Sequence, residues 1–114
     1  MTVLEEIKAM LEVELEEEIF DDQLLLYINS GISYLKNNRI PVEKVDETTQ
    51  TSDFRLQEFD KLIVINWLSL YCLQRFDRSL LNASAEATTS WINEEMTNLI
   101  YQLKAKYDNG GNTP

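Results

Sequence analysis

The stretch "DKLIVINWLSLYCLQRF", residues 60–76, decides the fold of this 114-residue chain. Between Leu62 and Leu73 only Asn66 and Ser69 are polar, and the stretch contains neither glycine nor proline. The letters "LIVI" alone also suit a strand, but a run of this length without a turn signal favours a helix. Such a helix has almost no polar side, so we predict that it lies at the centre of its domain.

Two helices are predicted before the central one. Thr2 and Glu5 have the capping-box pattern, and apolar residues then recur at helical spacing, which predicts a first helix over about residues 3–12. Asp21 or Asp22 is predicted to cap a second helix, which stops before the first proline of the chain.

The second predicted helix contains a glycine, Gly31, next to its apolar stripe. Glycine inside a helix costs about 1 kcal/mol relative to alanine. Two explanations stay open at this point: another helix approaches closely here, or the loss is simply tolerated.

A long loop is predicted between the second helix and the central one. Residues 40–52 lack helical periodicity and are rich in polar and β-branched types, with a short strand conceivable at residues 42–45. Ser52 or Asp53 is predicted to cap the third helix, which continues to about Arg78.

A fourth helix is predicted from about Ala85, and the "DNGG" sequence ends it, with Gly110 available for a left-handed cap. The sequence therefore predicts an all-α fold: a bundle of about four helices with a long central third helix and a long loop before it. We assign residues 1–108 to a single helical domain and residues 109–114 to a flexible C-terminal tail.

The charge is unevenly distributed along the chain. The formal net charge is −10, and residues 1–22 alone contribute −8, because they hold nine acidic residues and one base, Lys8. Nucleic-acid binding needs clustered lysine and arginine to displace phosphate counterions, so we predict no sequence-specific nucleic-acid binding. No basic-then-apolar leader opens the chain, and no apolar run reaches the roughly 20 residues of a membrane span. We therefore predict no membrane association.

Residue types suited to catalysis or to metal binding are scarce. The chain has no histidine, which removes histidine-dependent triads and histidine metal sites. The one cysteine, Cys72, lies in the apolar stretch and is interpreted as a small core residue. Glycine-rich phosphate loops, nucleophile elbows and CxxC motifs do not occur. We predict no catalytic residue, no metal ligand, no cofactor and no enzymatic activity.

The central helix has two conceivable environments. Either the other three helices wrap it completely, or one flank stays open for another chain. Aromatic and arginine side chains are enriched at protein interfaces. The candidates of these types on that flank are Trp67, Tyr71, Arg75 and Arg78. The partner-facing candidates in the acidic region are Glu16, Glu17 and Glu18.

The order of these features resembles a known family. An opening "LEEIK" is followed by an acidic stretch, by "DDQLLLYI", by a polar loop and by the long apolar helix that ends in "YCLQRFDRS". Over residues 3–104 this order is similar to that of the small head–tail connector, or adaptor, proteins of tailed bacteriophages. Connectors often have an aromatic-x-x-Arg pattern at the end of the long helix. In this chain Tyr71, Arg75, Phe76 and Arg78 fix no single register, so no residue role is transferred.

The resemblance implies a structural function. Many copies form a ring below the portal protein, extend the DNA channel and present a platform for tail or stopper proteins. It also implies a location in the neck of the virion after synthesis in the host cytoplasm, and it is compatible with a monomer before docking. The acidic region then either lines the channel, where it repels phosphate, or faces a basic neighbour.

A second hypothesis starts from the −8 charge of residues 1–22. A small acidic helical regulator, similar to an antitoxin or an inhibitor, occupies the basic site of a partner protein by charge mimicry. The two hypotheses predict different partners: virion proteins for the connector, and one basic enzyme or DNA-binding protein for the regulator.

Overall fold

The computed structural model describes residues 1–76 and 85–111, and it describes side chains for residues 1–75 and 91–107. Its elements are α1 (Val3–Met10), α2 (Asp21–Asn37), a short 3-10 helix (Thr51–Asp53), α3 (Glu58–Phe76) and α4 (Ala85–Gly111). These described residues contain no strand, and the predicted all-α bundle with a central third helix is confirmed.

Helix α3 contacts each of the other three helices and supplies the largest share of the core. The buried side chains of α3 are Asp60, Ile63, Val64, Ile65, Trp67, Leu68, Ser69, Tyr71 and Cys72. The Ser69 hydroxyl donates a hydrogen bond of 2.8 Å to the carbonyl of Ile65, so this polar residue is satisfied within its own helix. The position predicted for the apolar stretch is therefore confirmed.

Helix α1 begins as the sequence predicts. The Thr2 hydroxyl accepts from the Glu5 N–H at 3.1 Å, and the Glu5 carboxylate accepts from the Thr2 N–H at 2.8 Å. The helix ends at Met10, two residues before the predicted end, because Glu12 has a left-handed backbone with φ of 61°. The Val13 N–H then donates to the Lys8 carbonyl at 2.8 Å, which closes a Schellman-type end.

Helix α2 begins at Asp21, but the predicted aspartate cap is wrong. The N-cap is Phe20, and no side chain caps the helix. Asp21 instead accepts a hydrogen bond of 2.8 Å from the ammonium of Lys8, because the turns after α1 bring the two side chains together. The helix ends in the same way as α1, with Arg39 at φ of 67° and the Ile40 N–H donating to the Leu35 carbonyl.

The loop before α3 packs against the helices without forming a strand at residues 42–45, where a short strand was considered. Its apolar residues Ile40, Val42 and Val45 are buried. The side chain of Asn29 on α2 donates to the Val45 carbonyl at 2.8 Å and accepts from the Val45 N–H at 2.7 Å. These two bonds satisfy the backbone that a strand partner would otherwise satisfy, and they hold the loop on α2.

Helix α3 begins at Glu58, so the predicted cap at Ser52 or Asp53 is wrong. Both residues belong to the 3-10 helix, where the Asp53 carboxylate accepts from the Gln50 N–H at 2.8 Å. The chain is then extended at Phe54, whose side chain is buried, and this separates the short turn from α3. The predicted helix end near Arg78 lies outside the described residues.

Helix α4 begins at Ala85 as predicted, and it continues through Gly110 to Gly111, so the predicted left-handed cap at Gly110 is wrong. The helix is antiparallel to α3, because Asn93 pairs with Gln74 near one end and Tyr107 pairs with Asp60 near the other. The division into a domain of residues 1–108 and a tail of residues 109–114 stays a prediction.

Candidate interaction surfaces

Four side chains form a stack across α2 and α3, which we call the aromatic ladder: Tyr34, Trp67, Tyr71 and Arg75. The rings of Tyr34 and Trp67 lie with centroids 5.5 Å apart, and those of Trp67 and Tyr71 lie 5.2 Å apart. The guanidinium carbon of Arg75 lies 3.6 Å from the centre of the Tyr71 ring. A cation over an aromatic face is held by the ring quadrupole, so the ladder fixes the position of the arginine.

The ladder exists because α2 and α3 approach closely at Gly31. A Cβ atom at this position would lie 2.9 Å from Leu68 Cδ2 and 3.2 Å from the rings of both Trp67 and Tyr71. One residue earlier, the Ser30 hydroxyl lies 2.6 Å from the Tyr71 hydroxyl. Of the two explanations for the glycine, the structure therefore supports close helix approach.

The ladder changes the environment expected for two interface candidates. Trp67 and Tyr71 are candidates for a flank that stays open to another chain, but their side chains are only 2% and 8% exposed within the protomer. They are covered because Gly31 lets α2 pack directly on them. Arg75 is exposed, and Arg78 lies outside the described residues. A part for these four residues in an interface stays a prediction.

A groove of about 330 Å³ lies beside the ladder, between α2, α3 and α4, and we call it the ladder groove. Its polar lining includes Gln74 and Asn93, which hydrogen-bond each other, and its apolar lining includes Met96 and Ile100. Arg75 stands at its edge and makes no ion pair with any residue in the described part of the chain. The groove thus combines an aromatic wall with a cation that forms no ion pair with the described residues.

The acidic segment that joins α1 to α2, residues 12–20, forms a series of exposed turns, which we call the acidic ridge. The predicted partner-facing residues Glu16, Glu17 and Glu18 are all exposed on it. Exposed apolar side chains accompany them, and the most exposed is Ile19, at 74%. Whether this surface meets a partner stays a prediction.

Lys8 holds the acidic ridge against the body of the protein. Its side chain is buried, and its ammonium donates to the Leu15 carbonyl at 3.1 Å, to the Glu17 carbonyl and to the Asp21 carboxylate at 2.8 Å. An ammonium has three N–H groups, and each has an acceptor here. Lys8, the only base of the acidic region, therefore stabilises the protomer internally and is not exposed to a partner.

A third surface was not predicted from the sequence. The outward side of α3 carries four apolar residues and one asparagine at helical spacing, and we call it the outer stripe: Phe59, Leu62, Asn66, Leu70 and Leu73. Phe59 is 67% exposed and Leu62 is 63% exposed, whereas the two later leucines are half-buried. The available signal was the recurrence of apolar types every three or four residues on the helix side opposite Trp67 and Tyr71.

The later part of the outer stripe, Asn66, Leu70 and Leu73, forms the floor of a second groove, of about 310 Å³. Helix α1 lines it with Met10 and Leu11, and α4 lines it with Trp91 and Leu99. Met10 and Trp91 are themselves largely exposed. Because α1 and α4 flank the stripe without meeting over it, the protomer leaves a largely apolar groove open to solvent.

The titratable groups with the clearest shifts have structural roles. Burial raises the pKa of Asp60, but hydrogen bonds from Lys106 at 2.7 Å and Tyr107 at 2.6 Å, together with the Lys106 charge, bring it below its usual value. Burial and the bond to Asp60 raise the pKa of Tyr107 to about 12. These contacts clamp the start of α3 to α4. Burial also raises the pKa of the Cys72 thiol to about 12, which favours the inert thiol over the reactive thiolate.

Two further observations concern metal binding and membrane insertion. Within residues 1–76 and 85–111, no group of three or more acidic or cysteine side chains is arranged to hold a metal ion. In the same residues, no helix combines the length and the apolar character that crossing a membrane requires.

Comparison with known proteins gives one match. A family model described as "Phage connector protein" matches residues 3–110, which extend from the first residue of α1 almost to the end of α4. No curated protein and no solved structure matches the chain significantly.

Proposed function

Because the chain belongs to the phage connector protein family, we propose that it acts as a head–tail connector in the neck of a tailed-phage virion. In this proposal many copies form a ring under the portal protein and extend the DNA channel. The ring joins the head to tail or stopper proteins. The family match over residues 3–110 supports a structural role in a virion, and it supports a protein without enzymatic activity.

The outer stripe is the observation that carries the ring in this proposal. A protomer that functions alone gains nothing from exposed Phe59 and Leu62, since each apolar side chain moved out of water contributes roughly 1.5–3 kcal/mol when fully buried. We propose that a neighbouring copy covers the stripe. In this proposal a different surface of the neighbouring copy covers the stripe, so the contact is heterologous, and the rotation between copies closes a cyclic ring.

The charge of the chain is compatible with a channel protein. At a net charge of −10, a ring that surrounds DNA repels the phosphate backbone and lets it slide without adhesion. The alternative, an acidic regulator that binds a basic enzyme, rests on the same charge. The family match supports virion proteins as partners and gives the regulator no support.

Co-assembly with the portal protein tests the proposal. We expect native mass spectrometry of the mixture to give a multi-subunit ring of this chain on the portal, even if the free chain is a monomer. A chain that stays monomeric with portal present, or that captures one basic host enzyme instead, contradicts the connector role.

A matched pair of variants tests the outer stripe itself. Leu62→Glu on the stripe should abolish ring assembly, whereas Leu26→Glu, at a comparably exposed leucine on α2, should preserve it. Normal assembly of both variants contradicts the stripe as an intersubunit surface. Equal loss in both contradicts it as well, because the effect is then not specific to the stripe.

A further inference from the structure

One edge of the Arg75 guanidinium makes no hydrogen bond to the described residues, and its geometry suits a carboxylate ligand. Only Nη1 donates to other described residues, at 3.3 Å to the Tyr71 carbonyl and 3.3 Å to the Gln74 side chain. The Nε–Nη2 edge makes no bond to the described part of the chain. That edge presents two parallel N–H groups, which match the two oxygens of a carboxylate. Because the Tyr71 ring holds the guanidinium, little side-chain entropy is lost on binding.

The lining of the ladder groove also indicates which other groups the ligand carries besides the carboxylate. Its lining mixes an aromatic wall with the apolar side chains of Met96 and Ile100, so an isolated anion would leave most of it in contact with water. A chain segment that carries acidic and apolar side chains together would satisfy both parts.

The acidic ridge has this composition. Glu16, Glu17 and Glu18 make no ion pair with a described residue, and exposed Leu15 and Ile19 lie next to them in the chain. The ridge is also pre-organised, because Lys8 binds two of its backbone carbonyls. A pre-organised segment binds without the cost of ordering a free loop.

We propose that the acidic ridge of one protomer docks into the ladder groove of the next, with a carboxylate of Glu16, Glu17 or Glu18 on Arg75. The inference rests on the proposed ring and adds to it a contact between neighbouring copies that is separate from the outer stripe. The ridge joins α1 to α2, whereas the groove lies between α2, α3 and α4, so each copy offers two different complementary surfaces. Such a pair generates head-to-tail contacts and hence a ring. Two chains of net charge −10 repel, and placing acidic side chains on a cation offsets part of this repulsion.

Neutralising variants test the contact under conditions in which the wild-type chain forms rings, with portal protein present if rings require it. Arg75→Gln removes the cation, and the triple variant Glu16→Gln, Glu17→Gln, Glu18→Gln removes the anions. Each should weaken self-association about tenfold or more by native mass spectrometry, the effect expected when a charge-assisted bidentate pair is lost. The matched controls are Lys44→Gln and Glu47→Gln, at exposed residues of the loop, and both should assemble as the wild type does.

Mixing the two variants gives the sharper result. The Arg75→Gln chain keeps an intact ridge and the triple variant keeps an intact groove, so in an equimolar mixture heterodimers should form about tenfold more readily than either homodimer. A chain that combines Arg75→Glu with Glu16→Lys, Glu17→Lys and Glu18→Lys should recover rings through the reversed pair.

Three outcomes overturn the inference. If both variants form rings with wild-type affinity, the contact is absent and the connector role still stands. If Arg75→Gln fails while the triple variant assembles, the groove binds an acidic segment of another protein. If the reversed-charge chain does not recover rings, direct pairing of the two surfaces is wrong. Failure of the wild-type chain to assemble with portal is a different result, and it contradicts the proposed function itself.

Discussion

Helix α3 has a ladder side and an outer side. Both sides are rich in apolar residues, and they differ in how far other helices cover them. On the ladder side, Trp67 and Tyr71 are buried because α2 packs on them at Gly31. On the outer side, Phe59 and Leu62 are more than 60% exposed, and further along the helix Leu70 and Leu73 line the groove between α1 and α4. Exposure along one helix is thus set by how closely its neighbours approach. The sequence of the helix itself does not determine it.

The largest expected effect separates the two sides by stability. Trp67→Ala should lower the free energy of unfolding of the protomer by about 3–5 kcal/mol, the cost of removing a buried aromatic side chain from a core. Phe59→Ala should change it by about 0.5 kcal/mol or less, since the side chain is mostly in water. Urea denaturation followed by circular dichroism measures both. Similar losses in the two variants would remove the distinction between a closed and an open side.

The next prediction concerns the contacts of Asp60 that clamp the start of α3 to α4. Asp60 lies between Phe59 and Leu62 in the sequence, so this clamp also holds the open side. Asp60→Asn should cost about 1.5–3 kcal/mol, the usual value of hydrogen bonds to a charged group. The folded-state pKa of Asp60 lies below its unfolded value, so its contribution is present above about pH 4 and is lost as the pH falls through the folded pKa.

Denaturation profiles over a pH series test this clamp. The wild type should lose stability on acidification more steeply than Asp60→Asn, which lacks the group. Parallel profiles would mean that the clamp contributes little. The outer stripe would then be exposed on a loosely held part of α3.

A smaller effect tests why the ladder side is closed. Gly31→Ala should destabilise the protein by about 1 kcal/mol net, because the added methyl group overpacks the ladder by more than the helix gains from alanine. Ser33→Ala on the exposed side of the same helix should be neutral or stabilising by about 0.5 kcal/mol. Thermal melts of the two variants compare them directly, and a stabilising Gly31→Ala would show that the helices can separate at no cost.

The smallest expected effect on stability belongs to the outer stripe. Leu62→Glu should leave the free energy of unfolding within about 0.5 kcal/mol of the wild type, because an exposed helical position tolerates either residue. Denaturation of the free chain measures this, and it shows whether the assembly defect expected for the same variant arises from misfolding. A loss of several kcal/mol would place Leu62 in the core.

Much of the fold could be predicted because it follows from local pattern. The capping box at Thr2 and Glu5 involves residues three apart, and the start of α4 at Ala85 follows from the onset of periodicity. The central position of α3 follows from its apolar composition, since a helix without a polar side has to be covered. Each of these features depends on residues close together in the chain.

The features that could not be predicted depend on contacts between distant residues. Asp21 does not cap α2 because Lys8, thirteen residues earlier, binds its carboxylate. The loop forms no strand at residues 42–45 because Asn29 on α2 satisfies the backbone of Val45. The aromatic residues are candidates for an open side of α3 because interface statistics favour those types. Only the packing of α2 at Gly31 shows that they are covered.

The enclosure of Lys8 has a consequence for its chemical reactivity. A reagent that acylates amines modifies an exposed side chain such as Lys44 readily, but the nitrogen of Lys8 is shielded while its three acceptors stay in place. Acylation at Lys8 therefore requires the neighbouring turns to open first. Its labelling rate, followed by peptide mass spectrometry, reports how often the amino-terminal part of the chain detaches during the lifetime of the native state.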